Sequence, residues 1–135
     1  MTDLMLTEID HVAIAVADLE GALDRFRRIL GLEAQTREVV EPQKTEAALL
    51  AIGDSNIEII CPRGNAGLEK FLERRGPGIH HICLRVEQLE EALRLLKGAG
   101  VPLIDEAPRP GARGHKVAFL HPKALGGVLV ELEEP

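Results

Sequence analysis

Aromatic residues are scarce in this chain of 135 residues, which contains three Phe and neither Tyr nor Trp. Such rings are the usual stacking platforms for nucleic-acid bases. The formal net charge of −6 and the lack of a basic cluster also disfavour nucleic acid, whose phosphates attract concentrated Lys and Arg. No apolar run has the length of a membrane span, and residues 1–8 do not form an export signal. We therefore expect a cytoplasmic protein that binds neither nucleic acid nor membrane.

Cysteine is also rare. Cys61 and Cys83 both lie in apolar, strand-like runs and form no C-x-x-C pair. This placement favours reduced thiols in the core of a protein from a reducing compartment over a disulfide.

The dominant feature of the chain is an internal duplication. Residues 9–23 recur as residues 79–93, and seven of the fifteen aligned positions are identical, including His11 and His81. A second correspondence links Glu58, near the end of the first copy, to Glu131, near the end of the second. Because a period of this kind defines the architecture of a fold, we predict two similar modules, each contributing one His and one Glu.

Hydrophobic periodicity predicts the order βαβββ in both modules. The first module covers residues 8–61, a linker with a short helix covers 62–78, and the second module covers 79–135. Asp18 is expected to cap the first helix. A module of this size alone would have a marginal core, so residues 1–135 are predicted to form a single domain. The predicted strands are 8–16, 33–40, 45–52 and 57–61, followed by 79–86, 101–105, 115–120 and 127–132.

The two His and two Glu residues form a candidate metal site. Strand alternation places His11, Glu58, His81 and Glu131 on the face opposite the helices, whereas His80 should point toward the helices. A carboxylate in a half-buried strand is costly unless it is paired or coordinated, and this ligand set suits Co, Mn, Ni, Zn or Fe(II). The alternative is that the histidines are ordinary strand residues and the glutamates face water.

At these residues the chain resembles the vicinal oxygen chelate superfamily and, within it, the methylmalonyl-CoA epimerase family. The likeness spans nearly the whole chain. It is carried by residues 9–16, 78–82, 114–123 and 126–133, with sequences IDHVAIAV, GIHHI, GHKVAFLHPK and GGVLVELE. The resemblance implies an α+β fold in which two βαβββ modules form a cupped, eight-stranded mixed sheet with helices on its convex side, and it implies a homodimer.

The resemblance also implies an activity, namely interconversion of the C2 epimers of methylmalonyl-CoA by proton abstraction and reprotonation through a metal-chelated enolate. The metal ligands would be His11, Glu58, His81 and Glu131. The ion would be divalent, with Co²⁺ placed first and Mn²⁺, Ni²⁺ or Zn²⁺ as alternatives.

Two acid/base groups follow from the same resemblance. Glu46 matches the position of a catalytic carboxylate, although its pattern also fits a solvated glutamate beside Lys44. Glu131 is proposed as the opposing base, and a metal-bound water or His115 could replace it.

The loop of residues 107–114 carries Arg109 and Arg113 and is followed by Lys116. Loops often carry binding residues, so these cations could contact a substrate carboxylate or the phosphates of CoA. Ordinary surface charge is the other interpretation.

Three other activities occur on this fold, and the first two are the alternatives kept for this chain. A glyoxalase-type isomerase or lyase would use similar ligands on a hemithioacetal. A metal-free drug-binding protein would need the aromatic walls that this chain lacks. A ring-cleaving dioxygenase uses three protein ligands on Fe(II), whereas four are predicted here.

Overall fold

The computed structural model describes residues 3–135. Contacts divide the chain into two compact units. The N-terminal unit comprises His11–His80, and the C-terminal unit comprises the residues up to Asp10 together with His81–Pro135. The strands are β1 Leu6–Ala15, β2 Thr36–Val40, β3 Thr45–Ile52, β4 Ser55–Pro62, β5 Gly78–Val86, β6 Arg109–Pro110, β7 Lys116–Phe119 and β8 Val130–Glu134. The helices are α1 Leu19–Leu30, α2 Ala66–Arg75 and α3 Leu89–Gly98.

The same strand arrangement occurs in both units. In the N-terminal unit the order is β2, β3, β4, β1; the first two pairings are antiparallel and the last is parallel. In the C-terminal unit the order β6, β7, β8, β5 has the same directions. The eight strands form one mixed sheet in the order β2-β3-β4-β1-β5-β8-β7-β6. The predicted α+β class and the duplicated βαβββ order are confirmed.

Each unit has its own apolar core between one face of its strands and its amphipathic helix. In the N-terminal unit, Leu19 and Ala22 of α1 pack with Ala48, Leu50 and Ile59. In the C-terminal unit α3 packs against the corresponding face of β7 and β8. The residues of that core include Leu89, Leu93, Ala118, Val130 and Leu132. The opposite face of each set of strands therefore carries the remaining side chains, among them the predicted ligands.

The two module helices begin differently. Asp18 accepts a hydrogen bond from the backbone N–H of Gly21 at 3.0 Å, which confirms the predicted N-cap of α1. The repeat-equivalent Gln88 makes no side-chain cap. Instead, the Glu134 carboxylate accepts from the backbone N–H of Leu89 at 2.8 Å. In the second module, the N-terminus of α3 is therefore capped by a residue of β8 and not by the residue that directly precedes the helix.

One predicted strand is wrong. Residues 101–105 contribute only an isolated bridge between Leu103 and Leu120, and the edge strand is the two-residue β6. Pro102 has no N–H to donate to a ladder. In addition, the amides of Ile104 and Asp105 both donate to the Phe119 carbonyl, which is incompatible with regular strand pairing.

Within the described residues, no helix is long and apolar enough to cross a membrane. Both cysteines are free thiols.

Candidate functional site

The N-terminal unit holds the first His and Glu pair. β1 and β4 pair in parallel with Ala13 opposite Glu58, so His11, two residues before Ala13, lies on the same face as Glu58. The His11 Nε2 and Glu58 Oε1 atoms are 3.5 Å apart. The structure therefore brings together the two ligands predicted from the first module.

The C-terminal unit holds the equivalent pair. β5 and β8 pair in parallel with Cys83 opposite Glu131, which places His81 on the face of Glu131. The His81 Nε2 and Glu131 Oε1 atoms are 3.2 Å apart. The His81 ring also makes an edge-to-face contact with Phe119, with ring centroids 5.1 Å apart. That contact limits the orientations open to the imidazole.

The geometry of both pairs suits ligation of a divalent ion. All four residues are buried, with 3% to 7% of their surface exposed. Bonds of about 2.1 Å from an ion to nitrogen and oxygen place two neighbouring ligand atoms roughly 3.0 Å apart at a right angle and roughly 3.4 Å apart at the tetrahedral angle. The observed separations of 3.2 and 3.5 Å are close to this range. Each pair could therefore provide two adjacent ligands.

Glu46 does not share a face of the strands with Glu58. β3 and β4 pair with Glu46 opposite Cys61 and Leu49 opposite Glu58. Since paired residues share a face and successive residues alternate, Glu46 lies on the helix-facing side, with Ala48, and Glu58 lies on the other side.

The carboxylate of Glu46 is also occupied by two arginines. It accepts from Arg37 at 2.8 Å and from Arg63 at 2.8 Å. The hydrogen bond from Arg37 holds the pKa of Glu46 below its ordinary value, and Arg63 acts in the same direction. A general base should have a pKa near the working pH. In this structure Glu46 is an ion-paired carboxylate on the helix side of β3, and its catalytic role stays a prediction.

His80 behaves as its alternation predicts. Its ring packs edge-on against Phe71 of α2, with centroids 4.9 Å apart. It therefore points to the helix side of β5.

A buried ionic network surrounds Glu133 in the C-terminal unit. Asp10 is fully buried and accepts from Arg85 at 2.8 Å and from Arg113 at 2.6 Å. Arg113 also donates to Glu133 at 3.2 Å, and Arg85 donates to Glu8 at 3.0 Å. Two guanidinium groups thus compensate carboxylates whose burial would otherwise be costly.

Glu133 has two further partners. Its Oε1 atom contacts His115 Nδ1, and its Oε2 atom accepts from the Cys83 thiol at 3.4 Å. Burial raises the pKa of Glu133 and the neighbouring Asp10 carboxyl raises it further, while His115 and Arg113 act in the opposite direction. Burial also raises the pKa of the Cys83 thiol, and the nearby Glu131 and Glu133 carboxylates raise it further. Cys83 is therefore a neutral donor in this network.

The cations of the 107–114 loop differ in availability. Arg113 is only 19% exposed and is committed to Asp10 and Glu133, so it is not available to a substrate anion in this conformation. Arg109 donates to Asp105 at 3.3 Å and lies 5.8 Å from the centroid of the Phe119 ring. Lys116 lies 3.7 Å from Glu134. The sequence suggested a surface or substrate role for Arg113, whereas the structure places it in the buried network.

The pairing of Arg113 with Asp10 was missed because no local pattern encodes it. The two residues are 103 positions apart. The available signal was a charged Asp and Arg at strand positions flanked by apolar residues, Asp10 in β1 and Arg85 in β5. Such residues need a partner when buried, but the sequence does not identify that partner.

Comparisons with known proteins point to one group. The family model described as the Glyoxalase/Bleomycin resistance protein/Dioxygenase superfamily matches residues 10–119. The uncharacterized protein YqjC of Bacillus subtilis is 40% identical over 131 residues, covering 96% of this chain and 94% of the relative. An ethylmalonyl-CoA/methylmalonyl-CoA epimerase of Cereibacter sphaeroides is 38% identical over 133 residues, covering 96% and 99%.

Among solved structures, methylmalonyl-CoA epimerase from Mycobacterium tuberculosis superimposes with a TM-score of 0.93 at 38% identity. The match covers all of this chain and 92% of that one. The sequence comparison and the backbone superposition therefore both identify methylmalonyl-CoA epimerases as relatives over essentially the full length of this chain.

Proposed function

Because this chain belongs to the Glyoxalase/Bleomycin resistance protein/Dioxygenase superfamily, we propose that it is a metal-dependent epimerase that interconverts the C2 epimers of methylmalonyl-CoA. The observation that carries the proposal is the buried His and Glu pair, which recurs at equivalent strand positions in both units. The named epimerases among its relatives, similar over nearly the full chain, supply the substrate class.

The proposed ligands are His11, Glu58, His81 and Glu131, and together they would bind one divalent ion, with Co²⁺ first and Mn²⁺, Ni²⁺ or Zn²⁺ as alternatives. Two imidazoles and two carboxylates suit such ions, whereas calcium would prefer oxygen alone. A divalent ion held there would act as a Lewis acid on the carbonyl oxygens of the acyl group. The protein's contribution is to hold the four side chains buried and to exclude water around them.

Inversion at C2 requires that a proton leave one face of the carbon and that another arrive on the opposite face. Glu131 is the proposed base on one side, as the resemblance implies. Its contact with His81 fixes the position of its carboxylate. The catalytic role of Glu46 on the other face stays a prediction, which the Glu46→Gln variant tests.

Metal content tests the four-ligand site. Protein purified without added metal and then titrated with Co²⁺ is expected to bind one ion per chain, measured by elemental analysis. His11→Ala and His81→Ala are each expected to abolish binding of that one ion. Two ions per chain, with each variant losing only one, would contradict a shared site. His80→Ala is the matched control, because its ring packs on Phe71, and it should bind metal normally.

Activity tests the substrate assignment. The enzyme is expected to convert one methylmalonyl-CoA epimer into the equilibrium mixture, followed by NMR with and without chelator, and to lose this activity on metal removal. Ethylmalonyl-CoA should be assayed in parallel, because one relative carries both names. Turnover of a hemithioacetal, with neither acyl-CoA epimerised, would favour the glyoxalase-type isomerase or lyase instead.

Three expectations accompany this proposal and stay predictions. These are the single domain over residues 1–135, the homodimer and the cytoplasmic location. Sedimentation analysis of the purified protein tests the homodimer.

A further inference from the structure

Three buried side chains that can ligate a metal ion meet in the C-terminal unit, next to the proposed pair of His81 and Glu131. Asp10, Cys83 and Glu133 each present one ligand atom, and these atoms lie within 4.8 Å of one another. All three residues are at most 2% exposed. Cys83 follows His81 by two positions on β5, and Glu133 follows Glu131 by two positions on β8, so both share the face of that pair.

The donor atoms of this cluster suit a thiophilic ion. Cys83 Sγ and Glu133 Oε2 are 3.4 Å apart. An ion with bonds of about 2.3 Å to sulfur and about 2.1 Å to oxygen separates two such atoms by roughly 3.6 Å at the tetrahedral angle. His115, whose Nδ1 contacts the other oxygen of Glu133, adds an imidazole. A thiolate, an imidazole and carboxylates together favour an ion such as Zn²⁺ or Cd²⁺.

A cation already occupies the cluster, namely the guanidinium of Arg113. Its Nη2 atom lies 2.6 Å from Asp10 Oδ2 and 3.2 Å from Glu133 Oε1. One nitrogen therefore bridges the two carboxylates that a metal ion would bridge. Because arginine cannot be deprotonated in proteins, these carboxylates are compensated without an ion at every working pH.

The second guanidinium of the network is not placed to replace Arg113. Arg85 donates to Asp10 at 2.8 Å and to Glu8 at 3.0 Å. If the charge of Arg113 were removed, Asp10 would share Arg85 with Glu8, and Glu133 would lose its guanidinium partner. Removal of one partner from a buried ion pair leaves an uncompensated charge. A divalent ion bound to the cluster would restore the compensation.

We propose that Arg113 is a specificity-determining residue for metal binding, whose guanidinium closes a second, thiol-containing metal site formed by Asp10, Cys83, Glu133 and His115. The cluster takes no part in the proposed reaction, and its occupancy can be measured without substrate. An ion captured there would lie one position along the same face from His81 and Glu131. Because like charges repel, it would weaken binding of a divalent ion at that pair.

The proton balance of ion capture is simple. A bond forms between the ion and Cys83 Sγ, and the proton of the thiol passes to solvent. The carboxylates bind the ion without losing a proton. A thiolate bond to the ion produces a charge-transfer absorption, which imidazole and carboxylate ligands do not.

Titration with Cd²⁺ of the wild-type protein and of Arg113→Met tests the proposal. Met keeps an unbranched apolar stem and removes the charge. Wild type is expected to show no thiolate-to-cadmium band in the ultraviolet. Arg113→Met should gain this band and one further Cd²⁺ per chain by elemental analysis. The band should disappear in the double variant that also carries Cys83→Ser.

Two controls isolate the charge and the thiol. Arg113→Lys keeps a cation at the same position and should gain no ion. Cys61→Ser, made in the Arg113→Met background, removes the other thiol, which lies in the N-terminal unit and donates to the Ala17 carbonyl at 3.5 Å; the band should remain. Without metal, Arg113→Met should melt below wild type, and Cd²⁺ should raise its melting temperature more than that of wild type.

Each result either supports or overturns the proposal. A thiolate band in wild type that Cys83→Ser removes would show that the guanidinium does not exclude the ion. A folded Arg113→Met protein without the band would also overturn the proposal, as would one that stays unfolded with Cd²⁺ present, because the ion is expected to replace the lost charge. If wild type binds no ion at its His and Glu pairs, the proposed function loses its metal site, whereas the gain of one thiolate-bound Cd²⁺ in Arg113→Met still stands.

Discussion

Replacing Glu46 by Gln tests whether this residue is the catalytic base that the resemblance implies or a carboxylate that only pairs with two arginines. A general base lost to an amide would cost roughly 10² to 10⁴ in rate. In the structure the carboxylate binds Arg37 and Arg63 on the helix side of β3. We therefore expect kcat in the epimerase assay to stay within a few-fold of wild type.

The cost of Glu46→Gln should appear in stability instead. Both arginines are substantially exposed, at 39% and 55% of their side chains. Exposed ion pairs contribute about 0.2 to 1 kcal/mol each, so the free energy of unfolding should fall by about 1 kcal/mol. That change corresponds to roughly 3 to 5 °C in melting temperature for a chain of this size.

The pH dependence of the same variant has a defined sign. The pKa of Glu46 is lowered in the folded protein, so its stabilising effect is present above the ordinary carboxyl pKa and is lost as pH falls through the folded value. The stability difference between wild type and Glu46→Gln, measured by urea unfolding, should therefore be full at pH 7 and disappear in acid. It should also shrink in high salt.

Controls make the comparison sharp. Arg37→Gln should also lower stability and leave activity unchanged. Glu58→Gln changes a proposed ligand on the other face of β4 and should reduce metal binding. A folded Glu46→Gln protein with kcat reduced more than 100-fold would refute the reasoning and restore Glu46 as the base.

Three further predictions concern stability. Lys44 has left-handed backbone angles, φ 53° and ψ 46°, so Lys44→Gly should raise the free energy of unfolding by about 1 kcal/mol; destabilisation in urea would contradict this. Asp18→Ala should lower it by about 1 kcal/mol because the α1 cap is lost, whereas Gln88→Ala at the uncapped equivalent position should be nearly neutral; equal effects would show that the cap contributes nothing. The raised pKa of Cys83 means that folding keeps this thiol protonated. Wild-type stability should therefore fall as pH rises above about 8.5, where an unfolded thiol ionises. Cys83→Ala should show a shallower decline in alkaline urea titrations, and an identical decline would place its origin elsewhere.

The sequence pattern did not show on which side of the sheet Glu46 lies. Alternation identifies a face only where polar and apolar residues alternate, and β3 is buried on both sides, with Ala47 and Leu49 buried as well as Ala48 and Leu50. The side on which Glu46 lies depends on the register with β4, which pairs Ile52 with Ser55 across a two-residue turn. One residue of slippage would reverse every side chain.

The ligand pairs were predictable for the opposite reason. In β1 and β5 the alternate residues that follow His11 and His81 are apolar, Ile14 and Leu84 among them, and pack into the helix-side cores. The duplication presents the same pattern twice. Hence the sequence identified the shared face, and the structure places His11 beside Glu58 and His81 beside Glu131.

By itself, the amino-acid sequence determined the features that depend on neighbours along the chain. These are the two βαβββ modules, the Asp18 cap and the helix-facing side of β1 and β5. Only the tertiary structure decided the face of Glu46, the loss of a strand at residues 101–105 and the burial of Arg113 between Asp10 and Glu133. Local periodicity reflects the geometry of a single helix or strand, whereas those three outcomes depend on register and on contacts between residues far apart in the chain.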